Sequence, residues 1–284
     1  MSERPSAASL RAQPLGQRAA QWSERGPSGP APKAPRAGSA SALAALTRTE
    51  ARLLSRDWAA MVFAFVFPPL TLLVLAGSFG TEPDEGFGNE LPDDFYITGY
   101  IGIPLAALAF IGLPVLLASY RERDVLRRFT AFGVATRTVV TAQALVTALL
   151  VVLAAGTVLA VAAPTYGVPS VDDPLAVGAA FGLGSLTMIV LGVALGLSLK
   201  TARGAQAIGL MAFFPMFLLS GGGPPPEVMT DAMRRIADVL PLTHAVAGIR
   251  DPWLGSGPVG GHLAVLGIWL VVGLAIVGWQ VRRR

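Results

Sequence analysis

The sequence predicts an all-α polytopic membrane protein with six transmembrane helices, an N-terminal interfacial helix and an external helical hairpin between helices 5 and 6. Two observations predict this class. Of 284 residues, 53% are hydrophobic and 14% charged, against about 25% charged in a soluble globular chain. Six stretches contain no Asp, Glu, Lys or Arg: Trp58 to Gly80, Phe95 to Tyr120, Thr138 to Val171, Pro174 to Leu199, Gly204 to Pro226 and Pro252 to Val281. Each is long enough to cross a hydrocarbon core of about 30 Å, which takes roughly 20 helical residues. They are rich in Leu, Val, Ala, Gly and Phe without period-two alternation, so helices fit and a barrel does not. Six such segments in a soluble fold would leave almost no chain for a wetted surface.

Residues 1 to 40 hold six prolines among Ala, Ser, Gly, Arg and Gln. That composition cannot bury enough apolar area to offset the entropy of ordering, so a disordered, solvated cytoplasmic tail is expected, with no secretory signal. From 41 to 57 the pattern changes. Leu43, Leu46, Leu53 and Leu54 share a helical arc, and Arg48, Arg52 and Arg56 fall roughly opposite. This reads as an interfacial helix with arginines on anionic membrane lipids and leucines at the acyl boundary, rather than a mere flank of the first span. Glu50 lies inside the apolar arc, so it either turns toward a protein partner or marks the limit of amphipathicity.

The transmembrane domain occupies 58 to 284. Pro164 and Pro169 end the third helix near Ala163, and a Gly-Ser-Gly-Pro stretch delays the sixth until near His262. Lys and Arg are retained on the cytoplasmic side of short loops. The segment through Asp57 carries 9 basic residues, the second loop 5, the fourth 2 and the tail 3, which places 19 of 22 on one side. The first external loop holds Glu82, Asp84, Glu85, Glu90, Asp93 and Asp94 with no basic residue. Both termini are therefore expected in the cytoplasm.

The second cytoplasmic loop begins Arg121-Glu122-Arg123-Asp124-Val125-Leu126-Arg127-Arg128-Phe129. On a helix, Glu122 and Asp124 are expected to pair with arginines of their own segment, leaving Arg127 and Arg128 available beside Val125, Leu126 and Phe129. A rigid helix with apolar knobs and a charged rim suits docking to another protein, whereas positive-inside anchoring would not require the acids or the phenylalanine.

The external hairpin, 222 to 251, follows a break at Gly221 to Pro226. Met229, Met233, Ile236 and Leu240 recur at helical spacing, Pro241 stops that helix, and Thr243 to Ile249 forms a second one before Arg250. Such a hairpin caps the external mouth of a cavity. Gly192 with Gly196, and Gly178 with Gly182, allow close helix approach, within a subunit or between subunits.

Several chemistries are excluded. With no cysteine, disulfides, thiolate zinc and thiol catalysis are ruled out. The two histidines, His244 and His262, argue against a histidine-rich metal site, and a lone His244 reads as a helix-cap histidine rather than a catalytic group. A net charge of +4 is too small and too scattered for a nucleic-acid partner. No acid or Lys lies inside the predicted spans, so the coupling carboxylate of a gradient-driven carrier is missing. No Gly-x-x-x-x-Gly-Lys-Ser/Thr is present, so the chain is not expected to be an enzyme that hydrolyses nucleotide.

The charged second loop and broken fifth loop resemble the type-2 ABC transporter permease family, particularly bacterial drug-resistance exporters of the daunorubicin type. The resemblance covers residues 43 to 284. Arg56-Asp57 before Pro68 resembles the family's Arg-Asp-Pro lead into the first helix, with Trp58 where proline is frequent. Arg121-Glu122-Arg123 with Leu126-Arg127-Arg128 resembles Glu-Arg-x-x-Gly-Thr-Leu-Arg-Arg, with Asp124 and Val125 in place of Gly-Thr. Phe217 to Gly221, Pro226 to Met229, and Leu240 to Val246 with Arg250 are similar to its Phe-Leu-Ser-Gly, Pro-x-x-x-Met and Leu-Pro-Leu-Thr-His series, and Thr230 departs from it.

The resemblance implies a homodimer in the bacterial inner membrane, working with two copies of a separate ABC ATPase that binds ATP and Mg. Arg121 to Val134 would be the coupling helix. The external gate would include Gly221, Pro226, Met229, Pro241, His244 and Arg250. Export of a small hydrophobic, drug-like or lipid-like substrate is implied, and with it multidrug or antibiotic resistance. Phe110, Phe181, Phe213, Phe214 and Phe217 could line an apolar path or face lipid. A gradient-driven carrier or channel and a non-transporting scaffold are the alternatives.

Overall fold

The computed structural model describes residues 39–80, 82–131 and 135–283. The expected tail falls outside them except for its last two positions. Among the described residues ten helices carry the fold: α1 (Ser39–Leu54), α2 (Trp58–Ala76), α3 (Pro92–Glu122), α4 (Val125–Ala131), α5 (Thr136–Thr165), α6 (Pro174–Ser198), α7 (Ala202–Gly222), α8 (Asp231–Ala237), α9 (Pro241–Leu254) and α10 (Gly260–Arg282). Among the described residues no strand forms; Asp84 and Glu90 make an isolated bridge. Helices α2, α3, α5, α6, α7 and α10 are long and apolar enough to cross a membrane.

Each span starts or stops for a local reason. The Asp57 carboxylate accepts from Ala60 N at 3.2 Å at the head of α2, and Asp173 accepts from Leu175 and Ala176 N at 3.1 and 3.0 Å at the head of α6. Gly255, at φ 69°, ends α9 in the left-handed conformation that a side chain resists.

Several helices overrun the charge-free intervals. Helix α3 begins at Pro92 with Asp93 and Asp94 in its first turn, because acids are favourable at a helix N-terminus and proline at its first position. The expectation of acid-free spans is corrected to that extent. Helix α5 continues through Pro164 to Thr165, α10 starts two residues before His262, and α2 stops at Ala76 rather than Gly80. The hairpin differs more. Pro241 is the first residue of α9, which runs on through Arg250 to Leu254. Met229 lies outside α8 and is buried, whereas Met233 and Ile236 are exposed, so α8 is a short surface turn with no buried apolar stripe.

Prolines shape the core. Val62–Val66 in α2 and Leu108–Gly112 in α3 are π-helical. Pro68 and Pro114 follow these turns, and the carbonyls that their rings would strike, four residues earlier, fall inside them. The widened turn in α3 pushes its backbone outward. A Cβ at Gly192 of α6 would overlap the Ala109 carbonyl oxygen, and one at Gly209 of α7 would overlap that of Phe110. Only glycine permits these backbone contacts. Gly196 is likewise pressed on Pro114 and Leu117, so the Gly192 and Gly196 pair packs within the chain, while Gly178 and Gly182 face open space. Helix α3 is buried along nearly its whole length, α6 packs against α3, α9 and α10, and α10 leaves most of its apolar surface exposed, as a lipid-facing helix does.

Candidate functional site

The last turn of α3 is a joint between four other helices. The Arg121 guanidinium donates through Nη1 to the carbonyls of Leu197 and Leu199, at 2.6 and 2.9 Å, at the C-terminal end of α6. Those carbonyls are among the acceptors that a helix end leaves unpaired, and a cation there also suits the helix dipole. Glu122 accepts from Ala202 N at 3.0 Å, the first residue of α7, where an acid is favoured for the converse reason. Two adjacent residues thus fix both sides of the α6–α7 turn. Glu122, expected to pair within its own segment, thus has a partner on α7.

Tyr120 extends the joint to the interfacial helix. Its hydroxyl donates to Glu50 Oε1 and Oε2 at 2.9 and 3.0 Å, and Gln143 Nε2 of α5 donates to Oε2 at 3.3 Å. Glu50 is 1% exposed. Burial pushes its carboxyl above the ordinary glutamate range, against the opposing pull of the Tyr120 and Gln143 hydrogen bonds. Glu50 turns inward, and the partners it meets are this chain's own Tyr120 and Gln143. Arg48, Arg52 and Arg56 are exposed, as an interfacial face requires, and Leu53 is exposed too.

Beyond Glu122 the chain turns at Asp124, whose φ of 54° is left-handed, and enters α4. Val125 and Phe129 pack with Tyr120, Val139, Leu46 and Leu116, the Phe129 and Tyr120 rings lying edge to face with centroids 6.4 Å apart. The apolar knobs expected for docking are therefore half-buried within the chain. Arg123 and Arg128 form the exposed rim. The side chains of Leu126 and Arg127, and residues 132 to 134 of the expected coupling helix, lie outside the described residues.

At the opposite end α9 closes over the bundle. Gly221, at φ 86°, lets the end of α7 reverse, and an added Cβ there would lie 3.4 Å from the Phe95 ring and 3.8 Å from Arg250. The Arg250 guanidinium sits 4.4 Å over the Phe95 ring and donates through Nε and Nη2 to Asp251 Oδ1 at 3.1 and 2.9 Å. Tyr96 donates to the Gly223 carbonyl at 3.1 Å and Tyr100 to that of Gly222, so α3 holds the glycine turn by its backbone. Phe79, Phe87, Phe95 and Tyr96 stack into one aromatic cluster that pins the first external loop. Burial raises the Glu90 carboxyl above the ordinary range, partly offset by Ser256 and the Arg250 charge.

Of the expected gate residues, the structure brings Gly221 and Arg250 together at Phe95. Pro241 starts α9, and His244, one turn on, meets His262 of α10. Pro226 opens a short 3-10 turn that neighbours the first external loop, with Met229 just after it. Sequence reasoning missed Phe95, Tyr96, Tyr100, Tyr120 and Gln143. Their signal was available, since a Tyr or Gln in an otherwise apolar run needs a partner for its polar end.

An apolar cavity of about 510 Å³ lies among α3, α6, α7, α9 and α10, lined by residues that include Phe110, Leu195, Met211, Met216, Pro241 and Trp269. Phe181, Phe213, Phe214 and Phe217 are not in its lining. Phe213 and Phe217 instead stack with Phe67 in the core between α2 and α7. Among the described residues no group of three or more His, Asp or Glu is placed to hold a metal.

No curated protein matches the chain. Residues 41–252, well over half of it, match the model of the family described as ABC-2 type transporter. The match takes in most of α1, the joint at the end of α3 and most of α9. With six apolar helices long enough to cross a membrane, the chain belongs to the ABC-2 type transporter family and is a multi-pass membrane permease of ABC-type transport, a family that generally works with a separate ATPase subunit.

Proposed function

We propose that the chain is the transmembrane subunit of an ATP-driven exporter, acting as a homodimer with two copies of an ATPase that binds ATP and Mg and carries out all nucleotide hydrolysis. Both termini face the cytoplasm of a bacterial cell, and α4 seats in the ATPase. The observation that carries this reading is the joint at Tyr120, Arg121 and Glu122. One turn of α3, directly before α4, is hydrogen-bonded to α1, α6 and α7, and through Glu50 it shares a carboxylate with α5. A push on α4 therefore reaches the whole bundle, and the hairpin α8–α9 parts to release cargo. The apolar lining of the cavity supports a hydrophobic drug-like or lipid-like substrate, and resistance to such compounds follows.

The test is reconstitution of the full chain with its ATPase in liposomes. Efflux of a hydrophobic dye is expected with ATP and not with a proton or sodium gradient alone. Arg127→Glu with Arg128→Glu is expected to abolish ATPase association and efflux without unfolding the spans. Gradient-driven flux by the chain alone, or full transport by the double variant, overturns the reading.

A further inference from the structure

His244 on α9 and His262 on α10 are the chain's two histidines, and the contact between them plays no part in the transport reading. Their Nδ1 atoms are 3.1 Å apart. The ring centroids are 5.3 Å apart, which equals the nitrogen separation plus the reach from each ring centre to its nitrogen. The two nitrogens therefore face each other head-on.

The other nitrogen of each ring is already committed. His244 Nε2 lies 2.8 Å from the Asp238 backbone carbonyl, which only accepts, so this nitrogen carries a hydrogen. His262 Nε2 lies 3.0 Å from Asp251 Oδ2. Burial works to raise the Asp251 carboxyl, but the His262 and Arg250 hydrogen bonds and charges hold it below the ordinary range. Asp251 is thus an ionised acceptor, and His262 Nε2 also donates. A neutral imidazole has one N–H. Two neutral rings would turn bare lone pairs on each other across the gap, and two imidazolium rings would oppose two N–H groups and two charges. A single added proton gives an N–H···N hydrogen bond.

We propose that His244 and His262 hold one proton between their Nδ1 atoms, and that this shared proton latches the external hairpin to the last span. The link exists at one protonation count and is lost when the proton leaves or a second arrives. The charges around the pair fit a single positive charge. From α9 come Asp251 and Arg250, and the Asp238 residue follows α8. The first external loop brings Glu90 near Arg250, the α5–α6 loop brings Asp172 to Gly255 and ties Asp173 by its amide to the Pro252 carbonyl, and α6 places Ala180 at Gly248. Trp269 Nε1 also donates to the Val239 carbonyl at 2.9 Å, and with the latch open this single hydrogen bond does not hold the hairpin in one pose.

The test uses the full chain with ¹⁵N-histidine, purified without a histidine tag, in lipid nanodiscs. Only four ring nitrogens then report. Across about pH 5 to 9, a central window is expected with three protonated nitrogens, one bare, and a ¹⁵N–¹⁵N coupling between the Nδ1 atoms that vanishes at both ends. His262→Gln, whose amide can still donate to Asp251, removes the coupling and leaves His244 Nδ1 bare. Because the chain has no cysteine, Val239→Cys with Ile268→Cys takes spin labels cleanly. Their distance distribution is expected to be narrow in the window, broad outside it, and insensitive to pH once His262→Gln is added. No coupling in the wild-type chain at any pH, ring spectra unmoved by replacing the other histidine, or a distance independent of pH overturns the proposal. None of these readouts depends on transport.

Discussion

The joint of α3 with α6 and α7 and the contact of α9 with α10 are fastened by different kinds of bond. At the inner joint, side chains grip backbone: Arg121 holds the last carbonyls of α6, and Glu122 the first amide of α7. Separating those helices there would strip the part-buried Leu197 and Leu199 carbonyls of their charged donor, at about 1 to 3 kcal/mol. At the outer cap the charged pair lies between neighbouring residues, Arg250 and Asp251, and travels with α9. What ties α9 to α10 is side chain to side chain, through His244, Asp251 and His262, and water can replace such contacts. Under the proposed export cycle, the first contact would stay assembled and the second would part.

The sharpest way to break this contrast is Arg121→Met. It leaves the Leu197 and Leu199 carbonyls without their donor, and ATP-driven efflux is expected to fall more than tenfold while the ATPase still co-purifies. Unchanged efflux would show that the joint does not conduct the push. Arg250→Leu comes next. It strips the half-buried Asp251 of its guanidinium and is expected to lower stability by about 2 kcal/mol, read as an earlier thermal unfolding midpoint, with ATPase binding unaffected.

The smallest expected effect is a difference of sign with pH. The raised Glu50 carboxyl keeps its proton in the folded state above the ordinary value of 4.5, so stability falls as pH rises from there through the folded value. Asp251 is lowered from 3.8, so its contribution is complete above that pH and is lost as pH falls through the folded value. Relative to wild type, Glu50→Gln should therefore gain as pH rises, and Asp251→Asn should gain as pH falls, in denaturant melts across the acid range. The same sign for both would erase the distinction between the ends.

The spans were legible because lipid demands uninterrupted apolar helix, a constraint written in consecutive residues. Their ends were less so, since Asp93 and Asp94 look like loop until the dipole at the head of α3 is considered. Pro241 marks a helix boundary in either reading, and sequence alone does not tell stop from start. The interfacial arginines and the exposed Arg128 rim followed from periodicity. The partners of Glu50 did not: Tyr120 lies 70 residues away and Gln143 lies 93 away, and no local pattern encodes a contact made only when α1, α3 and α5 assemble. The head-on histidines were missed for the same reason, each having been read alone.

Where α3 crosses α6 and α7, bare backbone at Gly192 and Gly209 meets the displaced carbonyls of Ala109 and Phe110. A methyl group at either glycine would have to force two backbones apart, so the closeness of the central helix to both neighbours rests, at these two points, on hydrogen atoms alone.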